Sequence, residues 1–201
     1  MRVIALCANK GSGKNYISDL LVDLLQEECP ESNIIQYGLA DPIKEVASIL
    51  FGWSYERIEE HKEEPDIFYG ISPREFLQFM GTEIAQEQLC QRSYMYDLNV
   101  NRNLWMTIFS RRMRDVSADS IVIIHDLRFP HEERFLRENY LDSSIWKVVT
   151  VLDEKDVYTT SDSHLSERLI DQVEHDTIVF NYMNNRDRTI LEIKERRLLW
   201  Q

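Results

Sequence analysis

Lys14 closes a glycine-rich run, Ala8-Asn9-Lys10-Gly11-Ser12-Gly13-Lys14, and Asn15 follows it. Two glycines let a backbone turn tightly enough for successive N–H groups to converge on one anion, and a lysine at the end of the turn reaches that anion's outer oxygens. The chemistry such a run supports is the holding of a phosphate chain. Asp126 ends an apolar stretch, Ser120-Ile121-Val122-Ile123-Ile124-His125. A carboxylate at the mouth of a buried strand can hold Mg2+ directly or through water, or else cap a helix and brace a loop. Arg128 can clamp a phosphoryl group, because guanidinium forks match phosphate oxygens in pairs, or can pair with one of the chain's many carboxylates. Lys44, one turn into a helix opened by Asp41 and Pro42, reads equally as a phosphate ligand and as a solvated surface charge. Arg74 and Gln78 stand four apart and share one helical face.

The elements that must position these groups follow from periodicity. Residues 2–7 form a short apolar run and read as a buried strand, and the segment from Lys14 to about Glu28 is amphipathic, with Ile17, Leu20, Leu21, Leu24 and Leu25 on its inner face. Strand, glycine turn and helix in this order resemble a Walker A P-loop. Ala8 stands where the first glycine is expected, and Asn15 stands where a Mg2+-binding Ser or Thr is expected, an amide oxygen being a poorer partner for a hard cation. Residues 33–37 predict a second strand. Asp41 as N-cap with Pro42 at the first position predicts a helix that carries Ile43, Val46, Ala47, Ile49 and Leu50 inward and stops at Gly52. The charge cluster at 59–65 predicts an exposed, mobile connection. Ser72, Pro73 and Glu75 form a capping-box signature for the helix that holds Arg74 and Gln78.

Further helices are expected at 103–114, from Leu127-Arg-Phe-Pro130 through about Asn139, and at 186–199. Strands are expected at 120–126, 146–152 and 177–180, with Asn181 in a turn. A polar stretch at 153–163 precedes a helical segment containing Ser166, Glu167 and Arg168. Strands alternating with helices predict an α/β fold, a parallel sheet with helices on both faces. Ligands of such sheets bind beyond the carboxyl ends of the strands, where the glycine loop, Asp126 and Arg128 would lie.

With 201 residues, 43% of them hydrophobic and 29% charged, the chain reads as one globular domain able to bury a core. Its formal net charge is −12 and its isoelectric point about 4.9. That argues against polymeric nucleic acid as a partner, since a polyanion is repelled, but not against a mononucleotide, which needs only a few local cations. Cys7, Cys29 and Cys90 are scattered, with no C-x-x-C pair, and read as reduced packing thiols, not as a disulfide frame or a metal site. The apolar run after Met1 is too short for a signal peptide, and no window approaches a membrane span, so a cytoplasmic protein is expected.

Several blocks together carry a family resemblance. They are Gly38-Leu-Ala-Asp-Pro-Ile-Lys44, Arg74-Glu-Phe-Leu-Gln-Phe-Met-Gly-Thr82, Asp126-Leu-Arg128 and His164-Leu-Ser-Glu167. With the Ser12-Gly13-Lys14 turn, they resemble the deoxynucleoside monophosphate kinase family of phages and large DNA viruses. The family pattern has a P-loop, an A-[DG]-P-[LI]-K stretch, an R-x-x-[ML]-Q-x-x-G-T helix, a D-x-R turn and an H-x-[ST]-E segment, and here the matches fall in order from Ser12 to Glu167.

The resemblance implies one P-loop kinase domain over 1–201, nucleoside-monophosphate-kinase-like, with a helical acceptor-binding part at about 38–116 and a lid at about 153–170. It implies ATP-dependent phosphorylation of a (deoxy)nucleoside monophosphate with Mg2+, in the host cytoplasm if the gene is viral, and it leaves a homodimer open. By residue, it implies that Asn9 to Asn15, with Lys14 foremost, hold the ATP phosphates and that Asp126 holds the metal. Arg74 and Gln78 bind the acceptor, Lys44 and Arg128 bind or bridge phosphates, and Trp105 either stacks on the base or packs in a core. His164, Ser166, Glu167 and Arg168 order the lid. Two rivals stand beside it: the P-loop, A-x-P-x-K and D-x-R pattern also resembles animal-type phosphomevalonate kinase, and Asn15 would suit a nucleotide-binding protein without catalysis.

Overall fold

Val3, Ile4, Ala5, Leu6 and Cys7 offer no polar face to water, so the strand they form must be covered on both sides. The computed structural model describes residues 1–91, 103–153, 156–157 and 169–198, and in it all five are fully buried. The chain divides into two units, Met1–Gly38 with Asp115–Gln201, and Leu39–Arg114. Element labels run in chain order through both.

In the first unit β1 (Arg2–Cys7) lies between β3 (Ile121–Leu127) and β4 (Ser143–Asp153). Beyond β3 comes β2 (Ile34–Tyr37), and β4 pairs on with β6 (Thr177–Tyr182), every one of these pairings parallel. A two-residue β5 (Asp156–Val157) runs antiparallel to the end of β4. On one face, Ile4 and Leu6 of β1 share a core with Ile121, Ile123, Trp146, Val148 and Val179 from the neighbouring strands. Two helices cover that face: α1 (Lys14–Glu28), through Ile17, Leu20, Leu21, Leu24 and Leu25, and α7 (Arg186–Leu198), through Ile193. Val3, Ala5, Val122 and Ile124, which alternate with these residues, are equally shut from water. The remaining helix of this unit, α6 (Pro130–Asn139), follows β3.

The second unit is helical: α2 (Asp41–Phe51), α3 (Tyr55–Glu59), α4 (Pro73–Gln78) and α5 (Leu104–Arg112). α4 opens on a complete capping box, in which the Ser72 hydroxyl accepts the Glu75 N–H and the Glu75 carboxylate accepts the Ser72 N–H. It then widens into a π-helical stretch, Phe79–Gln88. Ile43, Ala47, Trp53, Ile58 and Phe76 form the core, and Phe51 stacks on Trp53 with ring centroids 4.3 Å apart.

Four expectations are corrected here. α2 takes Ala40 as its N-cap, and Asp41, already inside the first turn, receives the Lys44 ammonium instead of capping. Val46, Ile49 and Leu50 of α2 are exposed, Ile49 by 83%. An eleven-residue helix lying on one small cluster buries a single narrow stripe, here Ile43 and Ala47, four positions apart. The charge cluster at 59–65 is largely exposed, as expected, but it is not a loose connection: the Lys62 carbonyl accepts the Arg74 N–H at 2.9 Å, and Glu59 and Glu63 pair with Lys44 and Arg74. Asn181, expected in a turn, is a buried residue of β6. The expected lid residues His164, Ser166, Glu167 and Arg168 lie outside the described residues.

The α2 correction has a measurable consequence. Ile43→Ala removes a buried side chain and should cost about 2–5 kcal/mol, whereas Ile49→Ser should stay within about 0.5 kcal/mol of the parent. Urea unfolding midpoints at constant m-value separate the two, and a large loss in Ile49→Ser would restore the wider inner face.

Candidate active site

β1 ends at Cys7, and the chain turns back on itself before α1. Asn9 closes the turn: its carbonyl accepts the Ser12 hydroxyl at 2.6 Å and the Ser12 N–H at 3.2 Å. Gly11 and Gly13 both take positive φ, 80° and 73°, a conformation that costs glycine little and other residues much. Gly13 is the N-cap of α1, so Lys14 is the first helical residue and the helix N-terminus opens directly onto the loop. Burial pushes the Cys7 thiol up to about 11, so it stays protonated and inert at the foot of the loop.

The neighbouring strand supplies the carboxylate. β1 and β3 pair Ala5 with Ile124 and next Cys7 with Leu127. His125 and Asp126 therefore stand opposite Leu6 alone, a bulge of the kind that ends pairing beside functional sites. It leaves Asp126 at the mouth of β3, one residue before the register partner of Cys7. Arg128 follows in the turn into α6. Its N–H and that of Phe129 both donate to the Glu132 carboxylate, at 2.9 and 3.0 Å. Glu132 is 3% exposed. Burial raises its pKa to about 7 against the pull of those two N–H groups, and the Asp126 charge raises it further.

The donor set fits a polyphosphate with a hard cation. Loop N–H groups, a helix N-terminus and Lys14 face the needs of phosphate oxygens, and Asp126 offers the oxygen ligand that Mg2+ prefers. The Asn9 Oδ1 atom is buried with no hydrogen-bond partner among the described residues, an unfilled polar position within the loop. Asn15 is exposed on the first turn of α1.

In the helical unit the anticipated acceptor residues carry defined contacts. Lys44 is held by Asp41 at 2.9 Å and Glu59 at 2.8 Å. Burial works against its charge, but the hydrogen bonds its ammonium donates to Glu59 and Asp41 outweigh that and raise its pKa. Arg74 pairs with Glu63 at 2.6 Å. Gln78 ends α4, half-buried. Trp105 packs against the unit's core and donates its indole N–H to the Gly81 carbonyl at 2.9 Å, where α4 has given way to the π-helical stretch. The structure thus gathers Asn9 to Asn15, Asp126 and Arg128 in the sheet unit, and Lys44, Arg74, Gln78 and Trp105 in the helical one.

Three residues escaped the sequence reading. Glu132 carried a usable signal, a glutamate two residues after a helix-opening proline. Asn181 carried a weak one, a lone amide among β-prone apolar residues. Thr150 carried none, since threonine is ordinary in strands; its hydroxyl donates to the Ser12 carbonyl at 2.7 Å.

A strand–glycine turn–helix beside a parallel strand that carries Asp126 one residue before its end defines a P-loop phosphotransferase. A mimivirus protein of Acanthamoeba polyphaga named "Putative deoxynucleotide monophosphate kinase" is 32% identical over 147 residues, 69% of this chain and 69% of its own length. The chain belongs to the deoxynucleoside monophosphate kinase family. The "Deoxynucleoside-5'-monophosphate kinase" of Escherichia phage T5 is 24% identical over 221 aligned positions, covering 82% of this chain and 83% of that one. No family model matches. A crystal structure of Chaetomium thermophilum Kti12 in complex with ADP-AlF3 aligns over 98% of this chain and 97% of its own at 11% identity and a TM-score of 0.48, a likeness too weak to carry weight. Among the described residues no helix is long and apolar enough to cross a membrane.

Glu132 makes this site pH-sensitive in a testable way. Its folded pKa, about 7, lies above the ordinary 4.5, so the folded state keeps the proton through that window. Its contribution to stability is fully present below pH 4.5 and is lost as pH rises toward 7. Glu132→Gln should flatten that part of the stability–pH curve in urea unfolding, and an unchanged slope between pH 4.5 and 7 would remove the buried carboxyl as its source.

Proposed function

We propose that the protein transfers the γ-phosphoryl group of ATP to a deoxynucleoside monophosphate, giving the diphosphate. The observation that carries this reading is the glycine loop, with its two left-handed glycines and Lys14 at a helix N-terminus, beside Asp126 on the adjacent strand. The monophosphate acceptor is supported by the shared names of the two relatives. Phosphoryl transfer asks little covalent chemistry of a protein, and positioning and charge neutralisation supply the rate.

The loop amides and Lys14 bind the phosphates of the donor and offset charge that grows on them. Asp126 would hold Mg2+ directly or through water, and Asn15 would at most touch a metal-bound water. Mg2+, when bound, supplies charge neutralisation on the donor phosphates. Arg128, fixed by the hydrogen bonds of its turn to Glu132, clamps the transferring group. Lys44 and Arg74 bind the acceptor's phosphate, whose oxygens replace Glu59 and Glu63 on cations that the fold already holds charged and oriented. Gln78 and Trp105 then bear on the sugar or base. The protein works as a soluble enzyme of the cytoplasm, with no nucleic-acid polymer as partner.

Release of ADP against a panel of deoxy- and ribonucleoside monophosphates and phosphomevalonate tests the reading. Turnover with at least one nucleoside monophosphate is expected, and turnover with phosphomevalonate alone would overturn it. Lys14→Ala should lower kcat about 100-fold or more while the protein stays folded. Asp126→Asn should raise the Mg2+ concentration needed for half-maximal rate and leave monophosphate binding intact. Arg74→Ala should raise KM for every monophosphate alike by the loss of a charge-assisted contact worth about 1.5–3 kcal/mol. Gln78→Ala should reorder the bases instead, and weakened ATP binding in either variant would show that the two nucleotide sites have been exchanged.

A further inference from the structure

The Ser12 carbonyl accepts two buried donors, the Thr150 hydroxyl at 2.7 Å and the Asn181 amide at 3.2 Å. Thr150 and Asn181 are register partners on the parallel strands β4 and β6, each 2% exposed. A buried hydroxyl and a buried amide are costly unless their hydrogen bonds are made, and here both make one to the same oxygen. The peptide unit between Ser12 and Gly13 is planar, with its C=O and N–H pointing opposite ways. Drawing the carbonyl onto Thr150 and Asn181 therefore turns the Gly13 N–H away from those two side chains.

Glycine makes such a restraint necessary. With no Cβ, Gly13 reaches positive and negative φ with similar ease, and the peptide before it can flip at little intrinsic cost. Asn181 also packs against the Gly13 Cα so closely that a Cβ there would lie 2.3 Å from its amide nitrogen. The same side chain thus holds the carbonyl and excludes any other residue at position 13.

We propose that Thr150 and Asn181 are positioning residues for phosphate binding, jointly locking the Ser12–Gly13 peptide so that the Gly13 N–H is presented to the nucleotide. This rests on the reading of the loop as a phosphate site and adds the device that sets it. Neither side chain touches the nucleotide; each acts through the Ser12 carbonyl.

The test uses the full chain, with ATP binding measured by calorimetry and KM measured for ATP and for the best monophosphate. Thr150→Val and Asn181→Ala should each weaken ATP binding by about two- to tenfold, the range of a single net hydrogen bond, with the monophosphate KM unchanged. Thr150→Ser, which keeps the hydroxyl, should stay within about twofold of the parent. The double variant should lose more than the product of the two single losses, because affinity falls in full only when the flipped peptide becomes the major state. An unchanged ATP affinity in the double variant, equal losses for both substrates, or a Thr150→Ser no better than Thr150→Val would overturn the lock. Should the variants not fold, the unmodified protein decides: the Gly13 amide resonance should move on addition of ATP, and an unmoved resonance refutes the proposal. Transfer without these effects would sink the lock and spare the kinase reading. The effects on ATP without transfer to any monophosphate would do the reverse.

Discussion

β1 sits between β3 and β4 with both faces closed, and the active-site geometry of the sheet unit depends on that pairing. Five consecutive apolar residues are stable only in the middle of a covered parallel sheet. Once they are there, all carboxyl ends lie at one edge, the glycine loop must leave from that edge, and β3 must end beside it. The bulge at His125 and Asp126 then sets a carboxylate at the end of an otherwise apolar strand, one residue before the register partner of Cys7. Further along, β4 continues past the register partner of Cys7 and brings Thr150 under Ser12. Loop, carboxylate and support are three consequences of one strand order.

The helical unit solves a different problem. The chain carries a net charge of −12, so a phosphate ligand there would need cations that are already oriented. Lys44 and Arg74 meet this with carboxylates of the chain, Asp41, Glu59 and Glu63. Partly exposed ion pairs of this kind add little to stability. An ammonium or guanidinium held against one oxyanion is already ordered, the arrangement that the proposed acceptor site would use. Two residues of the acidic cluster at 59–65, which by composition alone looks like solvated surface, hold these cations: Glu59 on Lys44 and Glu63 on Arg74.

Glu132 links the two strategies. It is buried, it receives two backbone N–H groups of the turn that carries Arg128, and it feels the charge of Asp126. A carboxyl in that position fixes the turn by hydrogen bonds while its own ionisation is held back by burial, so it can brace the turn without placing a second full negative charge beside Asp126.

The features legible in the sequence are those whose causes are local. The glycine turn, the apolar strands, the inner face of α1 and the capping box of Ser72 and Glu75 each depend on residues within a few positions of one another, and each stands in the structure as the pattern implies. The motifs that fall in order from Ser12 to Glu167 resemble those of the family, to which the chain belongs. What the tertiary structure decided are the contacts that close long loops. Which stripe of α2 is covered depends on Trp53, Ile58 and Phe76 folding back on it. Whether Lys44 is a free surface charge or a held cation depends on Glu59 returning to it. Thr150 and Asn181 reach Ser12 across 138 and 169 residues, through strands whose register no short window encodes. A threonine or asparagine looks the same in sequence whether it faces water or pins a peptide, and only the packed sheet distinguishes the two.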